Sequence, residues 1–329
     1  MSSMNAAQVS THLTRSNLWS SMLKDILLDE LEAQKWVDWM SDFPDGTTFN
    51  IPSVGQASTQ DMTDDEPVVY ESLDTGNFTF TIDVYTGSAH YITRQALQDS
   101  FYANRVLSSF VPKESRAIAE QLETNILNKA SAGQTGGLAT WNANAINGKN
   151  HRYAGSGGDG AIALADVAYA KLALKKANVP MTGLIGIVPP EAGFVFETLT
   201  NIVNVSNNPQ WEGIVNTGIT TGMRFIKNVY GFDIYESNYL PTNSALTGTL
   251  QEYDASTSVT ITQANRVMSN FFSASPGVQP IVGAMRQMPI VDSEFNKDLQ
   301  REEYVTTARW GVKLFRPENM VSIVTTTVV

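Results

Sequence analysis

Apolar side chains recur at close to 3.6-residue spacing from Ser16 onward, at Trp19, Met22, Leu23, Ile26, Leu31, Val37 and Met40, with acids between them. That spacing predicts an amphipathic helix, preceded by a polar, unperiodic arm over residues 1–15. Pro44-Asp45-Gly46 closes the segment, and a β texture follows. Thr48–Pro52 reads as a short strand and Gln56–Glu66 as a polar, acidic loop, followed by Pro67–Tyr70. Phe78, Phe80, Ile82 and Val84 then alternate with Thr79, Thr81 and Asp83, the period of a half-buried strand, after a turn at Leu73–Asn77. Residues 46–92 therefore form an extended hairpin-like excursion.

Helical spacing returns at Thr93, an expected N-cap, and passes through Ala96, Leu97, Phe101 and Leu107. Pro112 is expected to open a second helical segment, because proline fits the first turn of a helix. In that segment Ile118, Leu122 and Ile126 form one stripe, while Glu114, Arg116, Glu120 and Glu123 are expected on the exposed faces. Gly133–Gly160 is rich in Gly and Asn and marks a boundary. Beyond it lie a helix over Leu164–Ala177, an apolar strand Leu184–Val188, and a helix from Pro189-Pro190 carrying Phe194, Phe196 and Leu199. Val229–Tyr235 and Phe271–Met285 are further strand candidates. Tyr304, Thr306, Ala308, Trp310, Val312 and Leu314 share one face of a long strand; Arg316–Asn319 turns it, and Met320–Val324 is expected to return as its partner.

Composition narrows the chemistry. The chain has 329 residues, 22 Lys plus Arg against 33 Asp plus Glu, and a net charge of -11, without the clustered cations on which nucleic-acid binding rests. Residues 46–91 contain no Lys or Arg. Cysteine is absent, which removes disulfides, thiolate nucleophiles and Cys-ligated zinc. Lys24, Asp25, Asp29 and Glu30 interrupt the apolar stretch Leu18–Met40, so it is expected neither to span a membrane nor to direct export.

Candidate sites are few. His12, His90 and His151 are far apart in sequence and lack any metal-ligand or nucleophile motif around them. Gly155, Gly157, Gly158 and Gly160 resemble a phosphate cradle only superficially, since the Lys-Ser/Thr ending is missing. Asp61, Asp64, Asp65 and Glu66 form the densest acidic cluster; without calcium-loop spacing they read as a solvated tip or as a match for a basic patch on another chain. A carboxylate pair for hydrolytic chemistry would come from folding and leaves no spacing signal. No catalytic, cofactor or metal residue is expected.

The order of these textures, more than any one motif, resembles the tailed-bacteriophage major capsid protein family, whose fold encapsulins share. Local segments are similar as well: Thr93-Arg94-Gln95-Ala96-Leu97-Gln98-Asp99-Ser100, Gly186-Ile187-Val188-Pro189-Pro190, Gly231–Pro241, Asp298–Thr307 and Arg316-Pro317-Glu318. The resemblance implies an α+β fold with five regions: an N-terminal arm with its helix (1–45), an extended β-hairpin loop (46–92), a peripheral domain with a long spine helix (93–154), an axial α/β domain (155–292), and a return to the peripheral domain as a C-terminal β hairpin (293–329).

It also implies a non-enzymatic shell subunit that assembles with itself into hexamers and pentamers of an icosahedral head around double-stranded DNA. Trp19, Trp36 and Trp39 of the arm helix, and Asp61, Asp64, Asp65, Glu66, Phe78, Phe80, Ile82 and Val84 of the loop, are the expected inter-subunit contacts. A separate scaffolding protein, a portal protein and a decoration protein are the implied partners, with no cofactor and no membrane. The implied location is the virion capsid, assembled in the host bacterial cytoplasm. Some family members crosslink through a loop Lys; this loop has none, so that route is not expected. An encapsulin-like compartment, a tail-tube protein and a carboxylate-pair hydrolase are the alternatives, separable by cargo, by tube formation and by a deep polar cleft.

Overall fold

The computed structural model describes residues 31, 33–41, 46–54, 59–61, 67, 75–99, 103–132, 145–198, 225–242, 250–254, 258–259 and 261–327. A 3-10 turn over Ala33–Trp36 leads into strand β1 (Val37–Met40). The helix expected to continue to Met40 is replaced here. A short apolar run fits either period, and parallel pairing with residues Ile281–Ala284 decides in favour of the strand. The rest of that expected helix lies outside the described residues.

Strands β2 (Thr48–Val54) and β3 (Thr75–Thr81) form an antiparallel hairpin with Phe49 opposite Phe80 and Ile51 opposite Phe78. The strand expected over Phe78–Val84 breaks at Ile82-Asp83, where the Ile82 N–H donates to the Thr47 carbonyl at 2.8 Å, and β4 (Val84–Thr93) begins. Thr93 Oγ1 then accepts the Ala96 N–H at 3.3 Å, capping helix α1 (Arg94–Asp99) as expected. Helix α2 (Ala103–Ala132) follows as a single 30-residue rod. It runs through Pro112 instead of starting there. Proline removes one bond, to the Ser108 carbonyl, and the long remainder packed against a sheet outweighs that loss.

The second half of the chain supplies β5 (Arg152–Ala154), α3 (Leu164–Lys176), β6 (Leu184–Val188), α4 (Pro190–Thr198), β7 (Phe225–Val229), β8 (Phe232–Glu236), β9 (Leu250–Gln251), β10 (Ser258–Val259), β11 (Arg266–Ser273), β12 (Ile281–Asn296), β13 (Arg301–Leu314) and β14 (Met320–Thr326). Two main sheets result, in the orders β1-β12-β13-β4 and β5-β14-β11-β6-β8-β7. The apolar run Leu184–Val188 has both faces covered, which is why it shows no alternation. Leu184 and Val188 join a core with Val167, Ala170 and Leu174 of α3. Ile185 and Ile187 join a second core with Ile118, Leu122 and Ile126 of α2 and with Trp310 and Val312 of β13.

The last strand does not return beside β13. β14 crosses to the six-stranded sheet, antiparallel to β11 and parallel to β5. The 3-10 turn Pro317–Asn319 redirects the chain, with the buried Asn319 amide donating to the Ser273 and Val278 carbonyls at 2.8 and 2.6 Å. The division expected between residues 292 and 293 falls inside β12, which pairs with β13 along almost its whole length.

Candidate assembly surfaces

Where the β2–β3 hairpin leaves the body, Phe80 is 0% exposed and Ile82 is 4% exposed, packed with Val282 and Ala284. The Phe49 and Phe80 rings lie 5.1 Å apart, and Phe78 meets Phe315 edge-on at 4.8 Å. Lys313 sits 4.6 Å over the Phe78 ring and donates to the Thr79 carbonyl at 2.7 Å. The Lys129 ammonium pairs with Asp83 beside the same base. Phe80 and Ile82, expected at a contact with a neighbour, are thus packed within their own subunit. Phe78 and Val84 are half-buried and keep part of their surface. Asp61 is exposed, whereas Asp64, Asp65 and Glu66 lie outside the described residues.

The tryptophans divide in the same way. Trp36, expected at an interface, is buried 5.2 Å from Tyr235 and 6.0 Å from Phe272 of its own subunit. Trp39 is half-buried, its Nε1–H donating to the Gln34 carbonyl at 3.1 Å. A Cβ at Gly283 would come within 2.7 Å of the Trp39 ring, so that ring lies directly on β12. Trp19 lies outside the described residues.

Two carboxylates on α2 were missed by sequence reasoning. Glu114 is 3% exposed, accepts the Thr306 hydroxyl at 2.6 Å and meets His90 Nδ1 at 2.6 Å, joining the helix to β13 and β4. Glu123 is 1% exposed and accepts the Ala33 N–H at 2.8 Å. Both were expected to face solvent. A helical signal was available: Glu114 lies one turn before Ile118, and Glu123 one turn before Leu127, on the stripe that faces the sheet.

Beyond the hairpin base, which covers Val282, Ala284 and Gly311, the sheet face away from α2 is open. β4 stands at one edge of its sheet, with Tyr85 69% and Tyr91 59% exposed. The β12–β13 ribbon extends past the body with Met288 and Ile290 exposed, after register shifts between Met285 and Gln287 and between Gln287 and Ile290. At its end an open pocket of about 240 Å³ is lined by Ser293, Glu294, Phe295, Glu302, Glu303 and Tyr304. The hydrogen bond from Arg301 Nε, at 2.6 Å, holds the Glu303 carboxyl below its ordinary range, so it is no proton donor near neutrality. Burial and a hydrogen bond to Glu302 push the Tyr304 phenol up. This is a solvated acidic ribbon end.

The remaining candidates are engaged structurally. His90 meets Glu114; His151 is buried, and its Nδ1 lies 3.1 Å from the Lys149 carbonyl. His12 lies outside the described residues. In the glycine stretch the N–H groups of Gly155, Gly157 and Gly160 donate to the Val324, Ala161 and Gly157 carbonyls, which leaves none of these three for a phosphate. Asp166 ties this stretch to α3, accepting the N–H groups of Ser156 and Ala163 at 3.0 and 2.8 Å. Among the described residues no group of three or more His, Cys, Asp or Glu side chains could hold a metal ion, and no helix is long and apolar enough to cross a membrane.

Comparison with known proteins places this arrangement. The family model described as phage capsid protein matches residues 77–323, which include α1 to α4, β4 and both main sheets except β1 and the end of β14. No curated protein matches the chain by sequence. Among solved structures, the mature capsid asymmetric unit of bacteriophage PhiM1 is similar at a TM-score of 0.68 and 13% identity, covering 99% of this chain and 100% of that one. The capsid asymmetric unit of cyanophage Pam1 is similar at 0.68 and 14%, covering 99% and 98%. A chain of Mycobacterium phage Che8 is similar at 0.66 and 16%, covering 95% and 97%.

Proposed function

The chain belongs to the phage capsid protein family and is a major capsid protein, and from that premise we propose that its copies close into an icosahedral head of hexamers and pentamers around double-stranded DNA. Phage capsid proteins form the virion shell, a structural and not a catalytic role. Closed point symmetry lets one repeated surface build a container without open fibres.

The observation that carries this reading is the concentration of exposed apolar side chains on one sheet. Tyr85, Tyr91, Met288, Ile290 and Val305 belong to β4, β12 and β13, on a part of the subunit that its own helices leave uncovered. Such a patch on a solitary globule marks an interface. Half-buried Phe78 and Trp39 and the exposed Asp61 extend the surface available to neighbours.

A net charge of -11 fits a container that holds DNA without sequence-specific grip. A separate scaffolding protein, a portal protein and a decoration protein complete the proposed set of partners, and assembly takes place in the host bacterial cytoplasm. The test is electron microscopy of the chain expressed with a candidate scaffolding protein. Closed shells of uniform size are expected. A stable monomer at millimolar concentration, with no shell under any of these conditions, overturns the reading.

A further inference from the structure

Strand β4 has ten residues, Val84–Thr93, and contains no Asp, Glu, Lys, Arg or Pro. One side of it is paired with β13 from Val84↔Trp310 to Thr93↔Arg301. No other described strand pairs with it, since β4 ends the sheet order. A long, flat edge without charge, proline or bulge is a template for another strand, and natural proteins blunt or cover such edges. Among the described residues this edge carries no charge, proline or bulge to blunt it, so it is built to be covered.

The chemistry of the strand indicates by what. Around Ser88 its side chains read nearly the same in both directions: Gly87 mirrors Ala89, Tyr85 mirrors Tyr91, and Val84 mirrors Ile92. An antiparallel partner with the same sequence, centred on Ser88, would set Tyr85 of each copy opposite Tyr91 of the other. Val84 would face Ile92, and the small residues would sit at the axis. Directly opposed residues in an antiparallel pair share a face, so the exposed tyrosines would form two aromatic cross-strand pairs on the open face. No like charges would meet. A strand paired with itself about a two-fold axis is an isologous contact, and an icosahedral lattice contains two-fold axes between its capsomers.

We propose that β4 of one subunit pairs antiparallel with β4 of a second copy about Ser88, joining two four-stranded sheets into one of eight strands across a two-fold contact of the shell. This rests on the capsid reading above, and the experiment separates the two. The chain has no cysteine, so a thiol introduced at position 88 can form a disulfide only with another copy. In oxidised shells of Ser88→Cys subunits, non-reducing electrophoresis is expected to show a covalent dimer as the main species. Thr86→Cys shells are expected to stay monomeric, because each new thiol would face His90 of the second copy and lie about four residues, on the order of 13 Å, from its own counterpart.

Intact shells in which Ser88→Cys stays monomeric, or in which Thr86→Cys crosslinks equally well, overturn the strand pairing and leave the capsid reading standing. Failure of the unaltered chain to form any shell overturns both. If Ser88→Cys does not assemble, charge complementation decides. Ser88→Asp and Ser88→Lys are each expected to lower shell yield at least about tenfold, since like charges would meet at the axis, and co-expression is expected to restore it. Loss without restoration, or no loss in either single variant, overturns the pairing.

Discussion

The Ala33 N–H donates to Oε1 of Glu123 over 2.8 Å, joining two buried residues separated by 90 positions in the sequence. Through this bond the spine helix fixes the point at which the N-terminal segment enters the body, immediately before Trp36 packs on Tyr235 and β1 joins its sheet.

Glu123→Leu removes the acceptor and leaves the Ala33 N–H buried without it. A buried donor left unsatisfied costs about 1–3 kcal/mol, and a loss of that order is expected in urea unfolding. Glu123→Gln keeps an acceptor and should lose about 1 kcal/mol or less. Hydrogen exchange at Ala33 provides the local readout: faster in the Leu variant and close to unchanged in the Gln variant. Equal exchange in all three proteins would remove Glu123 from this role.

Phe80 and Phe78 lie two residues apart on one strand and should respond differently. Phe80→Ala opens a cavity in a fully buried site and is expected to cost about 3–5 kcal/mol, enough to leave most of the protein insoluble. Phe78→Ala loses a half-buried ring and its contact with Phe315, about 1–2 kcal/mol, and should remain folded while assembling less well. Solubility and unfolding midpoints check the first statement, and shell yield by sedimentation checks the second.

Much of the fold is legible in the sequence where local period and tertiary partner agree. Leu164–Lys176 is read almost to the residue, because its apolar stripe faces a single sheet. The buried face of β13, Thr306 to Leu314, follows from alternation alone. Legibility fails where long-range pairing decides. Val37–Met40 could join a helix or a sheet until β12 lies beside it, and Met320–Thr326 has the composition of a hairpin partner but is claimed by β11. The assembly surface is less legible still. Phe78, Phe80, Ile82 and Val84 present the same alternation, yet Lys313, Phe315 and β12 arrive from distant parts of the chain to bury Phe80 and Ile82 and half-cover Phe78, while Val84 packs against the other core beside Trp310.

The pH dependence of stability has a specific source in His151. Burial lowers its pKa from the ordinary 6.5, and hydrogen bonds to the Lys149 and Glu318 carbonyls oppose this only in part. The folded state therefore takes up the proton less readily than the unfolded chain. The resulting stability is present above pH 6.5 and is lost as pH falls from there through the lower folded value. Asp166 acts in the opposite sense, because burial raises its pKa and protonation then favours the folded state. His151→Phe should reduce the decline in urea midpoint below about pH 6.5 whatever its effect on stability at neutral pH. An unchanged slope would assign the decline to other groups.

Gly311 tests the join between the extended loop and the body. It lies in β13 between the buried Trp310 and Val312, where the β3–β4 junction crosses closest. A Cβ at this position would come within 2.5 Å of the Thr81 carbonyl oxygen, 2.9 Å of Ile82 Cα and 3.1 Å of the Phe80 ring. The first two are backbone atoms that no rotamer change can move aside, so Gly311→Ala must push the loop base off the sheet. The Lys313 bond to the Thr79 carbonyl would strain with it. Overpacking of this kind costs about 1–3 kcal/mol, and it falls on one joint while the six-stranded sheet is untouched. The expected outcome is a subunit that still folds, with a lowered unfolding midpoint, faster hydrogen exchange confined to β3 and the start of β4, and poor shell yield. Gly277→Ala, where a Cβ would meet nothing within 4 Å but φ is +78°, is the control for backbone strain alone. If the two variants lose the same stability and assemble equally, the close approach at Gly311 does not hold the loop in place.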